Sequence, residues 1–345
     1  MLEEETMRQA KKTTYVLSVI TLMSMLLLAC GNNSEKQATA PQASNGNTQQ
    51  IETPLPSQQS AENSEEAASA TREYTDYMGR EAEIPVAPKR IVFSGETFSD
   101  LLALGVDAVG TDKEWNKKSV YGDRLASIED VGFPINLEKT LNLQPDLILI
   151  ANTDEKLYEQ LSKIAPTVTF DTFAPLNERL PVLGDIIGKK QEAETWLAEY
   201  NAKAEAMWQT LQAAGMKPGE TASVFTYYPG DRLFVMARTG LSQVLYEQNG
   251  FKATAPIQKV LDANTGFEQI SLEALPDYAG DRIFILTPDS EEAQKSTEEM
   301  FKSNIWLGLP AVKNNQVYTI DIIKSGSDAI TREWLLQELP KMLSK

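Results

Sequence analysis

Between Gln191 and Ala214 the chain runs without a glycine or a proline. Trp196, Leu197, Tyr200, Ala204, Met207, Trp208 and Leu211 recur there at three- and four-residue spacing. That spacing predicts one long amphipathic helix, stopped by Gly215. At 1.5 Å per residue it would extend about 36 Å, the breadth of a small domain. Strand signals lie on both sides of it. Before it come Ile91-Val92-Phe93, Val106–Gly110 and the run Asp146–Ala151 (DLILIA), whose unbroken apolar stretch suits a buried parallel strand. Helical segments are expected at Thr97–Leu104 and Asp154–Ile164. After the long helix, strands are expected at Ala222–Tyr228, Leu233–Ala237, Arg282–Leu286 and Val317–Ile320. Helices are expected at Leu241–Gln248, Glu291–Lys302 and Ile330–Leu343. The fold class is therefore α/β, with two α/β lobes joined by one long helix.

Composition narrows the chemistry. The 345 residues include 49 acidic and 32 basic side chains, a net charge of −17, with no histidine and one cysteine. Without histidine there is no Ser-His-Asp or Cys-His catalytic group, and no histidine-held zinc, manganese or haem. One cysteine excludes an internal disulfide, a CxxC pair and a cysteine-ligated cluster. The acidic balance argues against a nucleic-acid partner.

The first residues read as an address. Arg8, Lys11 and Lys12 precede an uncharged run from Tyr15 to Ala29 that is short for a bilayer crossing and fits a secretory signal. Met7 is the expected start of translation, since Glu3, Glu4 and Glu5 are out of place before a basic segment. The run ends in Leu27-Leu28-Ala29-Cys30-Gly31, which resembles a bacterial lipobox. Residues 1–29 are then the signal peptide and Cys30 the lipidated residue, anchored by acyl chains worth about 0.8 kcal/mol per buried CH₂. Up to residue 73 the chain is polar and nearly without aliphatic side chains, so it is expected to be a disordered tether spanning roughly 35 Å. The body divides into residues 74–189, a connecting helix at 190–215, and residues 216–345.

A weak internal repeat runs through the body. Ile135-Asn136-Leu137-Glu138 precedes the strand after Pro145, and Ile270-Ser271-Leu272-Glu273 precedes the strand after Gly280. Each is a capped helix start carrying a glutamate, followed by a buried strand.

Taken in order, the lipobox, "RIVFSGETFSDLLALGVDAVGT", "INLEKTLNLQPDLILI", the long helix, "ISLEALPDYAGDRIFIL" and "WLGLPAVKNNQVYTID" resemble the iron-siderophore substrate-binding lipoproteins of Gram-positive ABC importers. This family shares its architecture with the ferrichrome and cobalamin binders. The resemblance covers roughly residues 74–345 and implies a rigid connecting helix with a ligand cleft between the lobes. It implies a lipid-anchored monomer on the outer face of the cell membrane. The partners would be a ferric siderophore and the permease subunits of an ABC importer. By the same resemblance Glu138 and Glu273 dock onto permease arginines, a pairing that suits two carboxylates on separate lobes. Glu96 and Asp100 are weaker alternatives for that role.

A chelated iron arrives with its coordination positions filled, so no metal ligand, catalytic residue or resident cofactor is expected. The cleft needs aromatic faces and a few hydrogen-bond donors, and the chain has 5 Trp, 11 Tyr and 11 Phe to draw on. In the second lobe, Arg238 precedes Gly240 and Val244-Leu245-Tyr246, much as in the hydroxamate binders. Tyr228 is expected on the cleft and Tyr227 on the opposite strand face. In the first lobe the loops after strands offer Trp115, Phe133, Asn152 and Thr153, and Arg179 lies ahead of the connecting helix. Trp306 is the remaining candidate, as a cleft wall or as core packing. Catecholate binders of the family tend to carry lysines where this chain has Phe133, Asn152 and Thr153, which favours a hydroxamate or citrate-hydroxamate ligand. Cobalamin or tyrosine-ligated haem is the alternative cargo. A lipid-anchored hydrolase is a separate class, and no G-x-S-x-G motif supports it.

Overall fold

The computed structural model describes residues 70–344. Cys30, the signal segment and nearly all of the tether lie outside them. Strand structure begins at Thr71, three residues ahead of Tyr74, with an antiparallel hairpin of β1 (Thr71–Thr75) and β2 (Glu81–Pro85). The first lobe then alternates β3 (Ile91–Ser94), α1 (Ser99–Ala103), β4 (Gly110–Thr111), α2 (Lys113–Asn116), β5 (Glu129–Asp130), α3 (Leu137–Asn142), β6 (Leu147–Ile150), α4 (Glu155–Leu161) and β7 (Thr167–Thr169). Helix α5 (Leu176–Ile186) leads into the long helix α6 (Lys190–Ala213). The second lobe opens with β8 (Thr221–Tyr228), β9 (Arg232–Met236), α7 (Leu241–Leu245), β10 (Lys252–Ala253), α8 (Ala255–Asp262) and β11 (Phe267–Ile270). It continues with α9 (Leu275–Tyr278), β12 (Arg282–Thr287), α10 (Glu291–Phe301), α11 (Asn304–Gly308), α12 (Pro310–Lys313) and β13 (Val317–Asp321), and α13 (Ala329–Leu343) ends the chain.

The first sheet is parallel throughout, in the order β5-β4-β3-β6-β7. The second runs β11-β9-β8-β12-β13, with β10 also pairing with β8; β9 is antiparallel to β8 and to β11. The central strands of both sheets are buried on two faces, and strand alternation sorts their side chains between them. In β3 and β6, Ile91, Phe93, Leu147 and Leu149 enter a central core, while Val92, Ile148 and Ile150 enter an outer one. In β8 and β12, Val224, Phe284 and Leu286 enter the same central core, while Phe225, Ile283 and Ile285 face a second outer one. The two lobes therefore share one interior.

Helix α6 forms part of that shared interior. Its buried stripe is Ala193, Tyr200, Ala204, Met207, Trp208 and Leu211. Glu247 ties it to its neighbours by accepting from the Tyr200 hydroxyl at 2.6 Å and the Trp208 indole at 3.2 Å, while pairing with Arg332 of α13. The last helix, expected at Ile330–Leu343, forms at Ala329–Leu343. It follows the second lobe in the chain, yet Ala329, Leu335, Leu336 and Leu339 join the shared core, and it packs on both α1 and α6. The strand expected at Val106–Gly110 enters the sheet only at Gly110, because the Val106 N–H is still bonded to Leu101 of the preceding helix.

Candidate functional site

In the first sheet the chain passes from β3 to β4 on one side and reaches β6 on the other. The loops leaving β3 and β6 diverge there, and open α/β sheets bind ligands outside the strand ends at such a point. Gly95 follows β3 and lies so near the β6 loop that an added Cβ would sit 2.8 Å from that of Ala151. Next to it, Glu96 is open to solvent, yet desolvation by its surroundings, together with the charge of Asp112, raises its carboxyl. Asp112 itself is buried and pushed up to about 6 by that burial.

Four expected residues sit on these loops. Trp115 on α2 and Phe133 after β5 are 53% and 77% exposed, with ring centroids 6.3 Å apart. Two large rings held open at strand ends offer a flat apolar contact. Asn152 and Thr153 follow β6 and are exposed. The Asn152 Oδ1 accepts from the Asp154 N–H at 2.7 Å, and Asp154 in turn caps α4 by accepting from the Leu157 N–H. The local turn thus uses the carbonyl of Asn152, and its amide nitrogen has no partner among the described residues.

The second lobe contributes an aromatic row. Register places Tyr228, Phe234 and Phe267 on one face of β8, β9 and β11, with centroid separations of 6.1 and 5.7 Å. Arg232 lies over the Tyr228 ring at 5.5 Å. Tyr227 faces the other way, into the outer core, and donates to Asp231 at 2.7 Å; burial and that partner push its phenol up to about 12. Phe267 was not legible, because β11 carries no strong strand signal, and Phe234 lay on an expected strand whose partner across β9 could not be read.

Arg238 lies two residues beyond β9 and is half-buried. Its backbone N–H bonds to the Gly266 carbonyl at 2.9 Å, and its guanidinium donates to Asn264 Oδ1 at 2.6 Å. Among the described residues no carboxylate pairs with it. It borders a cavity of about 810 Å³ whose other walls include Phe173 from the first lobe, Tyr200 and Trp208 from α6, and Asn264. Of the expected ligand residues only Arg238 lines this cavity. The volume is shaped by α6 and by polar side chains, whereas the exposed rings lie on the strand-end loops, so size alone does not define the site. The Arg238 loop is fixed from behind by Gly240, where φ is +58° and a Cβ would lie 2.9 Å from the Ser325 carbonyl oxygen. Only glycine suits both conditions.

Three expectations are corrected by burial. Arg179 is 1% exposed and fully engaged: Nε donates to Asp100 at 2.7 Å, and the other nitrogens donate to the carbonyls of Ala174, Thr172 and Ser327. It joins the lobes, and its burial keeps it out of reach of a ligand. Asp100, weighed as a docking acid, is its buried partner. Trp306 is 4% exposed and packs in the outer core of the second lobe, its ring 4.8 Å from that of Phe301, because Ser303 caps α11 and turns that helix inward.

Glu138 and Glu273 occupy matching positions. Each is the second residue of a short helix, one capped by Asn136 and the other by Ser271. Both are exposed, and neither has a cation partner among the described residues.

The chain belongs to the periplasmic binding protein family, whose sequence profile matches residues 91–322. It is 30% identical over 318 residues to the iron(3+)-hydroxamate-binding protein YxeB of Bacillus subtilis, spanning 90% of each chain. Its fold is similar to that of SirA from Staphylococcus aureus, solved complexed with staphyloferrin B. That match has a TM-score of 0.70 and 32% identity over 79% of this chain and 98% of the other. It is also similar to FhuD2 from Staphylococcus aureus with bound ferrioxamine B, with a TM-score of 0.65 and 25% identity over 75% of this chain and all of that one.

Proposed function

We propose that the protein captures a ferric siderophore outside the cytoplasm and hands it to the permease of an ABC importer, without chemical turnover. The observation that carries this reading is Arg238, a half-buried guanidinium with no carboxylate partner among the described residues, beside a cavity that residues of both lobes line. A guanidinium of this kind suits the oxygens around a chelated iron. The exposed rings of Trp115 and Phe133 suit the organic shell, with Tyr228, Asn152 and Thr153 as further contacts. The relatives support the ligand class: YxeB is named for iron(3+)-hydroxamate binding, and FhuD2 was solved with ferrioxamine B. The absence of lysine at Phe133, Asn152 and Thr153 favours a hydroxamate or citrate-hydroxamate over a more highly charged catecholate.

Glu138 and Glu273 are the docking acids of this reading. Cys30 carries the lipid anchor, palmitate among its acyl chains, and holds a monomer at the outer face of the membrane of a Gram-positive cell. To test capture against turnover, the purified chain is incubated with excess ferrioxamine B and the ligand is recovered. Capture predicts an unchanged ligand and saturation at one bound per chain. Progressive conversion of the excess ligand would establish an enzyme instead.

A further inference from the structure

The hairpin at the start of the body ends in a turn held far more firmly than chain reversal requires. Asp76 is buried, and its Oδ1 accepts from the backbone N–H groups of Met78 and Arg80, each at 2.9 Å. Its Oδ2 accepts from the Thr169 N–H, at the end of β7, at 3.0 Å. Arg80 completes the anchor. It donates to the Thr169 hydroxyl at 2.7 Å, pairs with Glu155 at 2.6 Å, lies 4.2 Å over the Tyr158 ring and reaches the Thr153 carbonyl at 3.4 Å. Charge-assisted bonds from both ends of the turn therefore fasten it to the carboxyl ends of β6 and β7. This is the edge that carries Asn152 and Thr153.

Between these anchors stand Tyr77 and Met78, both large and both about half exposed. Neighbouring apolar side chains held open on a rigid turn mark a contact surface more than a solvated loop. The adjoining β7 loop points the same way. Asp171, whose charge adds to burial in raising the Tyr77 phenol, lies two residues beyond Thr169. Phe173, next along, lines the cavity, and its ring lies 3.2 Å from where a Cβ on Gly266 of the second lobe would be. The turn thus stands at the carboxyl end of the first sheet, beside the loop that runs on to the cavity.

We propose that Tyr77 and Met78 form a further wall of the ligand site, packing against the organic arms of the bound chelate beside Thr153. This rests on the siderophore reading above. The chemistry fits that occupant: a phenol ring and a flexible thioether cover methylene arms and do not compete for the iron-bound oxygens.

Ferrioxamine B is titrated into the unmodified chain, the Tyr77→Ala and Met78→Ala single variants, and the double variant. Thermal unfolding without ligand runs alongside. The contact predicts about tenfold weaker binding by the double variant, with an unchanged unfolding midpoint and one-to-one stoichiometry. If the double variant unfolds, the folded single variant decides, with a several-fold loss expected. Tyr77→Phe, which keeps the ring, should bind as the unmodified chain does. Equal affinity in the folded alanine variants overturns the contact. Equal affinity with lost cellular uptake also overturns it and assigns the turn to the permease. No saturation of the unmodified chain overturns the hydroxamate assignment on which the contact rests, and saturation by a ferric catecholate instead would keep the siderophore reading.

Discussion

Asp100, on the first helix of one lobe, accepts the backbone N–H of Ala329, the first residue of the last helix, at 2.7 Å. Ser99 accepts the next N–H, from Ile330, at 3.2 Å, and donates its hydroxyl to Asp328. Asp328 accepts from the Thr331 N–H at 3.1 Å. A helix start leaves four N–H groups without intrahelical partners. Two of those of α13 are satisfied by side chains from the other lobe. Arg179 closes the joint by bonding both Asp100 and the Ser327 carbonyl. A buried joint of this kind, together with α6, permits small adjustments between lobes and opposes a wide hinge.

Arg179→Ala leaves Asp100 buried without its guanidinium and frees the Ser327 carbonyl. Removing one partner of a buried pair costs about 3–5 kcal/mol. Denaturant unfolding should show a loss of that order. A loss below about 1 kcal/mol would mean that this joint does not hold the lobes together.

The same joint sets a pH dependence. Burial, and to a lesser degree the like charge of Asp100, raises the Asp328 carboxyl to about 6 from an ordinary value of 3.8. The folded state then holds a proton that the unfolded chain has released. The group's contribution to stability is complete below 3.8 and is lost as pH rises through about 6. Asp328→Asn keeps an acceptor for Thr331 but does not titrate. Relative to the unmodified chain, the variant should gain stability between about pH 4 and pH 7. A difference that stays constant over this range would show that Asp328 does not titrate there.

These two residues show where sequence reasoning stopped. The strand Leu147–Ile150 and the helix α6 were legible because periodicity is local. That Asp100 and Arg179 would meet the start of α13 was not, since the contacts join segments 229 and 148 residues apart. Arg179 read as a free cation because its carbonyl partners leave no mark in the sequence. Helix α5 was missed because Pro181, inside it, reads as a breaker. Trp306 carries equal signal as a wall or as core, and only the inward turn after Ser303 decides it. The loop positions of Trp115, Asn152 and Thr153 were legible because the strands before them were. Phe173 and Phe267 were not, since β7 and β11 are short and lack a clear apolar run.

Arg238→Ala should weaken ferric hydroxamate binding by about 1.5–3 kcal/mol, the range for a hydrogen bond to a charged group. Calorimetry on the folded variant measures it directly. Unchanged affinity would remove Arg238 from the ligand site and leave it as the partner of Asn264 alone.

Replacing Glu138 and Glu273 together with alanine should leave affinity intact and abolish uptake, since both are exposed and first-turn positions carry little core packing. Paired binding and cellular uptake assays separate the two effects. A collapse of affinity would place the pair in the ligand site rather than on the permease face.

Siderophore capture itself is tested by titrating the purified chain with a ferric hydroxamate and, separately, a ferric catecholate, following tryptophan fluorescence. Trp115 lies on the strand-end rim, and Trp208 lines the cavity between the lobes, so occupancy should be visible. Saturable one-to-one quenching by the hydroxamate is expected, with little response to the catecholate. Saturation by the catecholate alone would contradict the assigned cleft chemistry, and no saturation by either would contradict the siderophore reading as a whole.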